Sequence, residues 1–295
     1  MAENVTRVTS SRRECSVKAL TSRVAVAAAT MAAAAAFSGV IPSAQAAPAA
    51  ATRAAVSGPR WGSASSATIH PGVKVSMGGV TCVAGFVFTD GTHAFLGVPA
   101  GCSGAGQVDN SKCDAGQVPY GLKVTVGGAR YKGILVYSSI IEMELRSERR
   151  TNVCANNSLS LVRLDQRDIK RTNPSVPALG GPTGVSNAQP SAPDQLMVYL
   201  GAPTTAQALS TGSGGWAHTI MVDGPVSATS AGAVVLTSDG KGLGMVTTTP
   251  DGGGQIVATD LRLELRYLHK LAKFAGVQLA KGTVKFAPGG LPMLG

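Results

Sequence analysis

The sequence predicts an all-β fold of short antiparallel strands in two groups, closed by one C-terminal helix. Three observations carry this. Only 14% of the 295 residues are Asp, Glu, Lys or Arg, against roughly 25% in ordinary soluble domains. Glycine and proline contribute 37 and 16 residues, which cuts the chain into short segments. The apolar runs are correspondingly short and end at turn dipeptides, with helical spacing only near the C-terminus. The same composition excludes a coiled coil, which needs charged flanking positions. At 44% hydrophobic residues the chain is too apolar for disorder, and its glycines lack the every-third-residue period of collagen.

The first strand group starts near Val73. Val80 to Phe88 is a β-rich run ending at Asp90-Gly91, followed by Phe95 to Val98. Asp-Gly between two such runs signals a hairpin, because the tight turn needs positive φ at both central residues. Leu122 to Val126 alternates, turns at Gly127-Gly128 and continues through Ile134 to Tyr137; Ser158 to Leu164 is a further strand. A second group holds Gln195 to Leu200, Val234 to Thr237, Leu243 to Thr247 and Gln255 to Ala258, with turns at Asp239-Gly240 and Asp251 to Gly254. Between the groups lie Pro174, Pro177, Gly180, Gly181 and Pro182, a stretch that cannot sustain a ladder or helix. Two barrels or one large sandwich satisfy this pattern. The predicted divisions are a lead-in over 47–68, a first β unit over 69–172, a linker over 173–184, a second β unit over 185–258, a helix over 259–276 and a tail over 277–295.

The helix is predicted from Asp260, which can cap it, to Gly276, which can end it. Leu261, Leu265, Leu268 and Ala272 share one face, with Leu271 beside them and Glu264 intruding. Arg262, Arg266, Lys270 and Lys273 form a basic stripe on the other side.

Residues 1–46 read as an export signal. Arg7, Arg12, Arg13, Lys18 and Arg23 precede an uncharged run from Val24 to Ile41, and Ser43-Ala44-Gln45-Ala46 is a small-residue cleavage site. The alanine-rich run is shorter than the roughly 20 residues that span a bilayer. Arg12-Arg13 also fits a twin-arginine signal, although Glu14, Cys15 and Ser16 lack the apolar pair expected there. Cleavage after Ala46 leaves 21 basic and 14 acidic side chains and turns a formal net charge of +10 into +7. It leaves Cys82, Cys102, Cys113 and Cys154, an even number that points to two disulfides in an exported chain, with three connectivities open.

No cofactor is expected. There is no C-x-x-C, and His70, His93, His218 and His269 show no ligand spacing. The glycines at 242 and 244 precede no helix, so they are not a dinucleotide loop. Ser103 and Ser213 sit among glycines without forming a nucleophile elbow. Few aromatics interleave the basic residues, which argues against nucleic acid as a partner.

Three segments together are similar to a known family. Cys82 lies in a β run, followed by a turn and Ala100-Gly101-Cys102. Cys154 is followed by Asn157-Ser158-Leu159-Ser160-Leu161-Val162-Arg163-Leu164. Thr229-Ser230-Ala231-Gly232-Ala233 precedes a hairpin. This series resembles the secreted bacterial trypsin-like serine peptidases of the actinobacterial type, over roughly residues 69–280. The resemblance implies two six-stranded antiparallel β-barrels with a C-terminal helix, and disulfides Cys82–Cys102 and Cys113–Cys154. It also places Gly101, Ser158 and Ala231 at the histidine, aspartate and serine positions of the triad. That chemistry needs a hydroxyl nucleophile, an imidazole to take its proton and a carboxylate to orient the imidazole. None of the three residues supplies its part. Thr229 and Ser230 stand where the family has glycine and aspartate, which puts the oxyanion-hole turn in doubt.

The leading expectation is therefore an exported, catalytically inactive homologue that works by binding an unknown protein or envelope ligand. A second reading is an active endopeptidase with a rearranged site using Ser230 and His218, with His93 a lesser candidate base. A third is attachment to an anionic envelope surface through Arg262, Arg266, Lys270 and Lys273.

Overall fold

The computed structural model describes residues 58–103, 113, 119–227, 230–248 and 254–289. Contacts divide the chain into two units, 1–53 and 54–295, and every described residue lies in the second. The expected export signal falls outside the described residues, as does Thr229.

The N-terminal half contains β1 (Lys74–Met77), β2 (Val80–Val83), β3 (Val87–Thr89), β4 (Ala94–Pro99), β5 (Lys123–Val126), β6 (Gly133–Ser138) and β7 (Leu159–Arg163). They form an antiparallel sheet in the order β3-β4-β7-β6-β5-β1-β2, with β14 (Gln278–Leu279) added beside β3. β2 and β3 stand near opposite ends of this order, yet only residues 84–86 separate them in the chain. They are two arms of the single β run expected over Val80 to Phe88. The bend between them curls the sheet into a half-barrel, the first barrel of the molecule, with β14 and β2 as its outer strands. Gly97 pairs with this bend in both directions, accepting from Gly85 at 2.7 Å and donating to Phe86 at 2.8 Å.

The C-terminal half contains β8 (Gln195–Tyr199), β9 (Pro203–Gly212), β10 (Ala217–Val222), β11 (Val234–Thr237), β12 (Gly242–Thr248) and β13 (Gln255–Thr259). These close into a barrel in the order β10-β13-β12-β11-β8-β9. The architecture is the all-β, trypsin-like one that the resemblance implies, with the second half a closed six-stranded barrel and the first an eight-stranded half-barrel sheet. Both expected disulfides, Cys82–Cys102 and Cys113–Cys154, are formed.

Strand alternation explains the low charge of the sequence. In β4, Ala94, Leu96 and Val98 fill the first barrel while Phe95 faces away from it. In β11, Val235 joins the interior of the second barrel, whereas Val234 and Leu236 turn outward. The outward-facing set is also buried. Phe86, Phe88, Phe95, Leu159 and Leu161 of the first half meet Met197, Val234, Leu236 and Met245 of the second in one continuous apolar layer. Strands buried on both faces have few positions left for charge.

The C-terminal helix is shorter than predicted. α3 spans Leu261–Leu268, Asp260 caps it by accepting from the Leu263 N–H at 2.7 Å, and a separate 3-10 turn follows at Ala272–Phe274. Leu261, Leu265, Leu268 and Phe274 seat this segment on the layer between the barrels. Two further helices, α1 (Ser139–Leu145) and α2 (Thr151–Asn156), interrupt the first β series. The chain beyond 276 returns to the first barrel through β14 and then lies along residues 173–181. Gly181 donates to Val284 O at 3.0 Å, and Ala287 donates to Leu179 O at 2.8 Å.

The barrels meet most closely where the bend after β2 faces the turn before β11. Val83 donates to Ala231 O at 3.1 Å. Gly232 has φ +100°, and a Cβ there would fall on the Val83 carbonyl oxygen. Gly85 is constrained from the other side, since a Cβ would strike the Met245 side chain. Gly232→Ala is expected to destabilise the protein by roughly 3 kcal/mol or more, combining backbone strain with displacement of a buried strand. Gly101→Ala, where a Cβ meets nothing within 4 Å, should change stability by less than about 0.5 kcal/mol. Denaturant titration of the two variants checks the contrast.

Candidate functional site

Of the three positions singled out by the resemblance, Ala231 lies at this contact, and Gly101 and Ser158 adjoin the end of β4. β4 ends at Pro99 and runs into a 3-10 turn over Ala100–Ser103. The Ala100 N–H is shared by Ser158 O at 2.7 Å and Ser158 Oγ at 3.1 Å, which fixes the start of β7 against this turn. Gly101 is exposed beside it. Cys102 ties the turn to Cys82, the neighbour of Val83. Ala231 accepts from Val83, and Gly232 packs against Val83 and Pro99. Backbone contacts therefore link the surroundings of Gly101, Ser158 and Ala231, and the open space at Gly101 shows that packing does not require a glycine there.

One ionisable group reaches this cluster. Glu264, the residue that breaks the apolar face of the predicted helix, is fully buried, and its Oε1 accepts from the Ser158 N–H at 3.1 Å. Burial pushes its pKa up to about 8, with the neighbouring Asp260 carboxylate adding to the rise and hydrogen bonds from Ser158 and Thr259 opposing it. Burial first, then Glu264, likewise raises the Tyr137 hydroxyl. This carboxyl favours its neutral form and ties α3 to the start of β7.

The other candidates are engaged elsewhere. His218, expected as a replacement base, is fully buried. Its Nδ1 lies 2.9 Å from Thr211 Oγ1, and its Nε2 lies 3.3 Å from Asp260 Oδ2. Thr211, His218 and Asp260 are thus ordered as a hydroxyl, an imidazole and a carboxylate. However, the Thr211 hydroxyl donates to Pro190 O at 2.8 Å, and Asp260 also caps α3 and accepts from Gln189 Nε2 at 3.0 Å. This network braces β9, β10 and α3. His93 pairs with Asp90 at 2.8 Å, His70 Nδ1 meets the Pro71 carbonyl at 2.8 Å, and His269 Nε2 meets the Val277 carbonyl at 2.7 Å. The Ser103 hydroxyl donates to Ala100 O at 2.7 Å. Ser230 sits in the turn before β11, where its carbonyl accepts from Ala233 at 2.9 Å. No group of three metal-ligating side chains occurs among the described residues, and none of their helices is long and apolar enough to cross a membrane.

The basic stripe is divided between different surroundings. Arg262 is partly buried, 3.9 Å from Asp260. Arg266 is exposed on α3. Lys270 lies beyond the helix over Tyr267, and Lys273 lies over Tyr120 and Phe274.

No family model matches the sequence, and no curated protein matches it. Among solved structures, the fold is similar to protease A of Thermobifida fusca (15% identity over 73% of this chain and all of that one, TM-score 0.45). It is similar also to a glutamic-acid-specific serine protease (13% identity, 72% of this chain and all of that one, TM-score 0.46). A third is an alpha-lytic protease homologue (14% identity, 72% and 99%, TM-score 0.43). The fold assignment rests on the strand order and barrel closure described above.

The Glu264 geometry predicts a pH dependence. Its folded pKa of about 8 exceeds the ordinary 4.5, so the folded state keeps a proton that the unfolded state releases. The associated stability is complete below about pH 4.5 and is lost as the pH rises through about 8. Glu264→Gln keeps the acceptor for Ser158 and cannot ionise. Its melting temperature should decline less than that of the wild type between about pH 5 and about pH 8. Parallel declines would show that Glu264 does not titrate in this way.

Proposed function

We propose that this chain is an exported, catalytically inactive homologue of the trypsin-like serine peptidases, and that it works by binding. The observation that supports this most is the chemistry at the seam. Gly101 supplies no base, Ser158 no carboxylate and Ala231 no nucleophile, while the backbone around them is packed and hydrogen-bonded. In subtilisin, loss of the complete triad costs roughly 2 × 10⁶ in turnover, so a scaffold without its triad is left with little hydrolysis. The engagement of all four histidines argues in the same direction, since among the described residues the imidazole that meets a hydroxyl, His218, is fully buried. Export is supported by the signal-like N-terminus and by the two disulfides, which persist in oxidising compartments.

A serine-directed phosphonate probe should leave the full chain unlabelled, and peptidase profiling should find no cleavage. Stoichiometric labelling that disappears in Ser230→Ala or Thr211→Ala would overturn this reading and identify the replacement nucleophile.

A further inference from the structure

The described surface also carries a basic concavity at the far end of the first barrel. β5, β6, β7 and β4 place Lys123, Ile134, Arg163 and Phe95 in one cross-strand row, so these residues share a face of the sheet. Lys132 lies two residues before Ile134 and shares that face. The residues preceding β4 and those following β7 wall a concavity of about 440 Å³ lined by His93, Lys132, Ile134, Arg163, Asp165 and Arg167.

The charges around it are unequally matched. Arg167 forms two 2.8 Å hydrogen bonds to Asp165 and stacks on Tyr131, with its guanidinium carbon 3.4 Å from the ring centroid. His93 is held by Asp90 at 2.8 Å. Those contacts fix the walls, and the Arg167–Asp165 pair carries no net charge. Arg163 is only partly exposed, and neither it nor Lys132 has a side-chain acceptor or carboxylate partner among the described residues. A guanidinium presents five donors in a rigid fork and is seldom left without an acceptor when partly buried. Two unmatched cations thus line one concave site, beside an Arg167–Asp165 pair that is already matched. The fork of Arg163 suits the oxygens of a phosphoryl group, with Lys132 acting as a point charge beside it.

From this we infer that the Lys132–Arg163 concavity is a binding site for a phosphate-class dianion, separate from the inter-barrel seam. The volume is about fifteen times the roughly 30 Å³ that one water occupies, which leaves space for more than one phosphoryl group. Such a group can belong to a soluble diphosphate or to a lipid headgroup.

Calorimetric titration of the full chain with inorganic pyrophosphate, alongside flotation with phosphatidylcholine vesicles with and without phosphatidate, tests the site. Saturable pyrophosphate binding is expected. Arg163→Gln and Lys132→Ala should each weaken it about tenfold, the loss of one charge-assisted contact. Arg266→Ala combined with Lys270→Ala should leave it unchanged. Phosphatidate-dependent flotation lost in Arg163→Gln would assign the phosphate to a lipid headgroup, and pyrophosphate binding without flotation would assign it to a soluble ligand. Absence of binding in both arms, or equal weakening by the Arg266/Lys270 pair, would overturn the proposal. Melting temperatures of the variants separate loss of binding from loss of folding.

Discussion

The constraint that ties the two halves of the fold together is the contact between Val83 and the turn at Ala231–Gly232. Val83 follows Cys82, which is bridged to Cys102 at the end of β4, and leads into the bend that curls the first sheet. Its N–H is taken by the first residue of that turn, and its carbonyl occupies the space a side chain at Gly232 would need. One short segment therefore bends the first sheet, docks the second barrel and positions the turn after β4. The apolar layer of Phe86, Phe88, Leu161, Val234 and Met245 can pack continuously because the two backbones approach this closely.

This constraint separates two kinds of residue. Gly232 has a backbone conformation and a neighbour that forbid any other side chain, and the cysteines cross-link the strand to the turn, so physical structure accounts for each. Gly101 is open to solvent and has an ordinary φ; Ala231 and Ser158 take part mainly through backbone atoms. The positions where catalysis would demand particular side chains are those the fold leaves unspecified. A scaffold can lose such side chains with little effect on its stability, so the proposed inactivity is compatible with a peptidase-like architecture.

The parts governed by local rules are legible in the sequence. Val234 to Thr237 and Gln255 to Ala258 stand out as strands because apolar residues lie between turn signals, and the Asp260 cap is evident from its spacing. β9 and β10 are not legible in this way. β9 begins at a proline and buries only Ala206 and Ala208 among Thr, Ser and Gln, so it carries no apolar alternation. α1 is hidden because its Ile140, Ile141 and Met143 read equally well as part of a strand. The predicted helix runs too long because Leu271 and Ala272 continue its apolar pattern after the backbone has left the helix. Glu264 is visible as an intrusion on an apolar face, but its partner, the Ser158 amide, lies 106 residues away. The basic concavity depends on the register of four strands, which no single stretch of sequence contains. The basic stripe, by contrast, follows only from assuming one continuous helix.

The central claim is that positions 101 and 158 adjoin one another on an intact scaffold that lacks only the reactive groups. Introducing Gly101→His gives a single new imidazole whose titration can be followed by NMR, and adding Ser158→Asp places a carboxylate at the neighbouring position. The second substitution is expected to raise the imidazole pKa by about one unit or more, as an opposite charge within ~4–6 Å does. An imidazole that titrates identically with and without the aspartate would mean that the two positions do not meet, and would contradict the claim.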